Sequence, residues 1–89
     1  MLLSEGGAPV NAKDAVALRI QILCAERNMA VNELANRCGV APSTIYSMLN
    51  EKSKNPGVVS LQKLCDGLEI SLRTFFDDPL FDSLEPIIR

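Results

Sequence analysis

The sequence predicts a small all-α domain of five helices, and two observations carry that reading. Apolar residues recur at spacings of three and four through five separate segments, and glycine, proline or aspartate punctuates the joints between them. The chain has 89 residues, 47% of them hydrophobic, which suits one domain with one core.

Residues 1–12 (MLLSEGGAPVNA) hold Gly-Gly, Pro and Asn without periodicity and read as a flexible arm. The helical domain then spans 13–78, and 79–89 form a tail with a short helix. Asp14 is the expected N-cap of the first helix, whose inward face carries Val16, Ile20, Leu23 and Cys24. Ala17, Leu18 and Ile22 widen that stripe, so this helix should be packed on more than one side. The second helix runs from Val31 to Cys38 with Leu34, Ala35 and Cys38 inward, and Gly39 ends it. Pro42 stands at the first position of the third, where its missing N–H is harmless. Ile45, Met48 and Leu49 form the apolar edge of that helix, and Ser43, Thr44, Tyr46, Ser47 and Asn50 its polar face. After the basic loop EKSKNPG, Ser60 is the expected cap of a fourth helix bearing Leu61, Leu64, Cys65 and Leu68. Ser71 opens a fifth with Leu72, Phe75 and Phe76, stopped by Asp78-Pro79.

Composition narrows the function. There is no histidine, no tryptophan and one tyrosine, and no glycine-rich phosphate loop. Without the commonest general base and metal ligand, and with no paired titratable groups, the chain is not expected to be an enzyme. Nor does it call for a metal, a cofactor or a small-molecule substrate. Cys24, Cys38 and Cys65 are odd in number, far apart and set among apolar neighbours, which fits reduced core thiols in the cytoplasm. Met1-Leu2-Leu3 is too short for a secretory h-region, and no apolar run is long enough to span a membrane.

The net charge of −2 is unevenly spread. Residues 19–63 carry Arg19, Arg27, Arg37, Lys52, Lys54 and Lys63 against three glutamates, whereas residues 64–89 are acidic. A basic middle with an anionic remainder is compatible with a DNA face on one side of the molecule.

The strongest signal lies in Val31 to Asn50. Two short helices joined by a glycine turn have the geometry of a helix-turn-helix, whose second helix enters the major groove. Leu34 and Ala35 pack the first motif helix on the second, and Ala35 is small where they cross. On these residues the chain resembles the Cro and lambda-repressor family, the Xre-like regulators of bacteria and phages. The resemblance runs through LRIQIL, NELANRCGVAPSTIYSMLN and SLQKLCDGLEISLRTFFD, about residues 15 to 78, in the five-helix order of a lambda-repressor-like domain.

The resemblance implies a sequence-specific, double-stranded-DNA-binding transcriptional regulator that places helix 42–50 in the major groove. It assigns base reading to Pro42, Ser43, Thr44, Tyr46 and Ser47. Phosphate contacts fall to Asn50, Lys52, Lys54 and the N-terminal amides of helices two and four. Three departures stand out. Ala30 and Ala41 replace the usual serine or threonine caps, and Val31 replaces a bracing glutamine. Cys24 and Leu49 replace a buried Arg–Glu pair, a double apolar exchange that need not destabilise. Leu80, Phe81, Leu84, Ile87 and Ile88 leave apolar surface at the C-terminus, either folded back on the core or forming a homodimer interface with Phe76. Two other roles remain open to such a chain: a protein-interaction module that has lost DNA binding, and the antitoxin of a toxin–antitoxin pair.

Overall fold

In the computed structural model, which describes residues 11–49, 57–86 and 88, five α-helices follow one another: α1 Ala12–Glu26, α2 Val31–Cys38, α3 Pro42–Leu49, α4 Val58–Leu68 and α5 Leu72–Phe76. A 3-10 turn at Pro79–Phe81 completes the order. The all-α reading holds, and α2, α3 and α5 occupy the expected segments. α2 packs on both α3 and α4, α1 packs on α3 and on the 3-10 turn, and α4 packs on α5.

The starts of α1 and α4 differ from expectation. Asn11, not Asp14, caps α1: its backbone is extended, and its Oδ1 accepts the Asp14 amide at 2.9 Å. Asparagine caps a helix as well as aspartate does, so the first acidic residue marks the third helical position here. α4 begins at Val58 with Gly57 as its cap, which puts Ser60 inside the first turn. Two β-branched valines delay the sequence signal, yet both are helical and exposed, at 71% and 65%.

Three helices end in the same way. Asn28, Gly39 and Glu69 take left-handed backbone, with φ of 51°, 70° and 61°. The next residue then folds back, so that the amides of Met29, Val40 and Ile70 donate to the carbonyls of Cys24, Ala35 and Cys65 at 2.9, 3.2 and 2.9 Å. Each ending therefore satisfies terminal carbonyls and tucks an apolar residue against the core. Gly39 adopts this conformation freely, whereas Glu69 does so at roughly 1–2 kcal/mol.

The core joins Val16, Ile20, Leu23, Cys24, Leu34, Ala35, Ile45, Met48, Leu61, Leu64, Cys65, Leu68 and Phe75 in one buried cluster. Cys24 is among its members and Leu49 packs against it half-buried, as the apolar replacement of an ion pair requires. The two adjacent phenylalanines part company: Phe75 is fully buried and Phe76 is 41% exposed.

Arg19 departs from the sequence reading. Counted there among the basic charges, it is buried at 8% exposure. Its Nε donates to the Phe75 carbonyl at 2.8 Å, its Nη2 to the Thr74 carbonyl at 3.0 Å, and its Nη1 to Asp78 Oδ2 at 3.1 Å. A five-residue helix has little stability of its own. Here the guanidinium closes its C-terminal end while the Ser71 hydroxyl accepts the Thr74 amide at the other. Asp78 also accepts the Leu80 amide at 2.9 Å, so one carboxylate ties α1 to the 3-10 turn.

α2 and α4 meet unusually closely. A Cβ added to buried Gly67 would lie 2.5 Å from Cys38 Sγ and 3.1 Å from the Cys38 amide nitrogen. The Cys38 thiol donates to the Leu64 carbonyl at 3.8 Å. All three cysteines are free thiols. Burial raises each thiol above its ordinary value of 9.0: Arg27 partly offsets this at Cys24, a backbone hydrogen bond from Gly67 at Cys38, and Asp66 reinforces it at Cys65.

Two predictions follow from this packing. Gly67→Ala should destabilise by about 1–3 kcal/mol through overpacking, despite alanine's better helix propensity. Cys38→Ala in the same chain should recover part of the loss, and urea unfolding of the two variants measures both. Because the folded thiols resist ionisation, their contribution is fully present below pH 9.0 and is lost as pH climbs past it, where only the unfolded chain releases its thiol protons. Denaturation midpoints should therefore be level through neutrality and fall in alkali, with thiolate absorbance appearing as the chain unfolds. Thiolate absorbance at full strength in the folded protein near pH 9.0 would contradict this.

Candidate nucleic-acid interface

The third helix is divided lengthwise. Ile45 and Met48 are buried and Leu49 is half-buried, so its back belongs to the core. Pro42, Ser43, Tyr46 and Ser47 are exposed on the opposite side, and Thr44 is half-buried on the flank between. With 3.6 residues per turn, Ser43 and Ser47 lie one above the other, and so do Pro42 and Tyr46. Four of the five residues assigned to base reading thus share one accessible face, and Thr44 sits at its edge.

Small polar groups dominate that face. Serine hydroxyls donate and accept, and the proline ring supplies an apolar contact of the size of a thymine methyl. Tyr46 is the large side chain among them, 51% exposed, and its hydroxyl donates to Asn32 Oδ1 of α2 at 3.4 Å.

The helix N-termini divide into two kinds. α1 and α5 carry side-chain caps, Asn11 and Ser71. The caps of α2 and α4 are Ala30 and Gly57, and neither residue offers a side-chain hydrogen bond. Among the described residues, the first amides of these two helices have no side-chain partner. The acidic residue in the first turn of α2, Glu33, faces Arg37 at 3.5 Å, one turn on.

Of the assigned phosphate contacts, Asn50, Lys52 and Lys54 lie outside the described residues. The burial of Arg19 against Asp78 removes one of the positive charges counted for the DNA face. Sequence reasoning had a signal for this: Val16, Arg19, Ile20 and Leu23 share a helical face, so Arg19 sits among core residues. It had none for Asn32, whose partner is fourteen positions away in another helix. No helix among the described residues is long and apolar enough to cross a membrane, and no group of His, Cys, Asp or Glu there could hold a metal ion.

Comparisons with known proteins agree with this geometry. The chain is 31% identical over 55 residues to the uncharacterized HTH-type transcriptional regulator YozG of Bacillus subtilis strain 168; the match covers 62% of this chain and 66% of that protein. Among solved structures it is similar to the prophage Lp1 protein 11, with a TM-score of 0.71 and 30% identity over 78% of this chain and 91% of that one. It is also similar to the wild-type restriction-modification controller protein C.Esp1396I, with a TM-score of 0.68 and 25% identity over 80% and 90% of the two chains. The family model for the Cro/C1-type helix-turn-helix DNA-binding domain, a non-enzymatic class, matches residues 19–79, from the buried arginine of α1 to the start of the 3-10 turn. With a helix-turn-helix in α2 and α3 and the family's five-helix order around it, the chain belongs to the Cro/C1-type helix-turn-helix family of DNA-binding transcriptional regulators.

Proposed function

We propose that this chain regulates transcription by binding double-stranded DNA sequence-specifically, with α3 and the following Asn50 in the major groove. One observation carries the reading: the exposed face of α3 presents Pro42, Ser43, Tyr46 and Ser47 while the helix behind it and the one after it both begin without side-chain caps. A groove-reading helix flanked by amides that hold the phosphate backbone is how this motif docks. Ser43 and Ser47 are the base readers, with Pro42 and Thr44 beside them, and Tyr46 stands on the same face. Asn50, Lys52 and Lys54 hold phosphates. Three free cysteines suit work in a reducing cytoplasm.

DNA binding of this kind is strengthened by pairing two copies. Phe76, in edge-to-face contact with Phe81 at 5.0 Å, supplies the exposed apolar surface for a two-fold contact. A homodimer through that region would set two recognition helices one DNA turn apart, roughly 34 Å.

Selection from random duplex DNA should enrich a two-fold-symmetric site, bound with an affinity that falls steeply as salt rises. Replacing Lys52 or Lys54 by alanine should weaken all sequences alike and lower the salt slope by about one unit each, whereas Ser43→Ala or Ser47→Ala should change the sites enriched. Duplex affinity that persisted with unchanged site preference in both serine variants would remove α3 as the reader. Sedimentation on a palindromic duplex tests the pairing: Phe76→Ala should stay folded yet bind as single copies, and a pair of undiminished affinity would place the contact elsewhere.

A further inference from the structure

We infer that Asn32 and Tyr46 act as one unit that grips a DNA phosphate, so that Tyr46 is a positioning residue and not a reader of bases; the inference rests on the DNA-binding reading above.

The exposed face of α3 consists of two lines of side chains, Pro42–Tyr46 and Ser43–Ser47. The bond from the Tyr46 hydroxyl to Asn32 Oδ1 shows which line borders α2. Pro42 and Tyr46 are on the α2 side, and the two serines are turned away from it. In a helix-turn-helix the first motif helix crosses the sugar-phosphate backbone while the second lies in the groove. The line bordering α2 therefore meets the wall of the groove, and the serine line meets its floor.

Hydrogen-bond inventory assigns the roles. A tyrosine has one hydroxyl proton, and Tyr46 commits it to Asn32. The Asn32 carboxamide then has its oxygen engaged, while its NH2 group, two donors, has no other partner among the described residues. A group offering only donors fits a phosphate oxygen. Glu33, the neighbour that would repel an anion, is held by Arg37 at 3.5 Å. In solvent the 3.4 Å bond is loose; under a duplex it loses its competing water, and a bond shielded in this way strengthens.

The test uses Tyr46→Phe, Asn32→Ala, the double variant and Asn32→Asp in the full chain. All the positions are exposed, and melting curves verify that each variant folds. Tyr46→Phe and Asn32→Ala should each weaken binding roughly two- to tenfold, with the double variant no worse than the weaker-binding single. Sites enriched from random duplexes should be the same as for the wild type, and the salt slope should not move, because a neutral carboxamide releases no counterion. Asn32→Asp keeps the acceptor for Tyr46 but exchanges the donors for a negative charge, and should bind more weakly than Asn32→Ala. A shifted base preference in Tyr46→Phe, additive losses, or Asn32→Asp at wild-type affinity would each overturn the inference while leaving DNA binding intact. A wild-type chain without affinity for any duplex would instead overturn the functional reading on which it rests.

Discussion

Every helix of this domain removes one large side chain from solvent altogether: Ile20 from α1, Leu34 from α2, Ile45 from α3, Leu64 from α4 and Phe75 from α5. They belong to one continuous cluster, and its dispersion contacts and excluded water are what the four helices of eleven residues or fewer have in place of intrinsic helix stability. The exposed face of α3 is a consequence of this arrangement. Ile45 and Met48 can be buried only if α3 turns its other side outward, so the orientation of Ser43 and Ser47 is decided by residues that never meet a ligand.

The ends of the molecule are organised by polar groups. α5 is too short to persist alone, and the Arg19 guanidinium satisfies its terminal carbonyls while pairing with Asp78. Removing Asp78 would leave the buried Arg19 guanidinium without its counter-charge. Through Asp78 the same contact fixes the 3-10 turn and hence Phe81, which packs on Phe75 and Phe76. Phe81 has thereby folded back on the core, while Phe76 keeps a partly open flank and Ile88 is exposed.

Side-chain capping is distributed in a way that stability alone does not explain. Asn11, Ser71 and Asp78 each accept a backbone amide at the start of their element, whereas Ala30 and Gly57 offer nothing. A missing cap weakens a helix by about 0.5–2 kcal/mol. The two uncapped starts belong to the helices that precede and follow α3 in the chain, where the resemblance had put phosphate contacts.

The local pattern was enough to determine the helix count, the limits of α2, the start of α3, the left-handed exit at Gly39 and most of the core, because periodicity and turn chemistry act over a few residues. It also placed Pro42, Ser43, Tyr46 and Ser47 together, since one helical face is a local property. Cap identity was less legible: Asn11 and Gly57 compete with equally plausible neighbours, and packing of the whole helix selects between them. What only the tertiary structure decided are relations between distant segments. Arg19 became a structural cation because α5 ends beside it, fifty-five residues and more along the chain. The bond from Tyr46 to Asn32, and the approach of Cys38 to Gly67, likewise exist only once the helices cross. Side-chain chemistry states what a residue is able to bind, but its partner is set by packing geometry, which no local stretch of sequence contains.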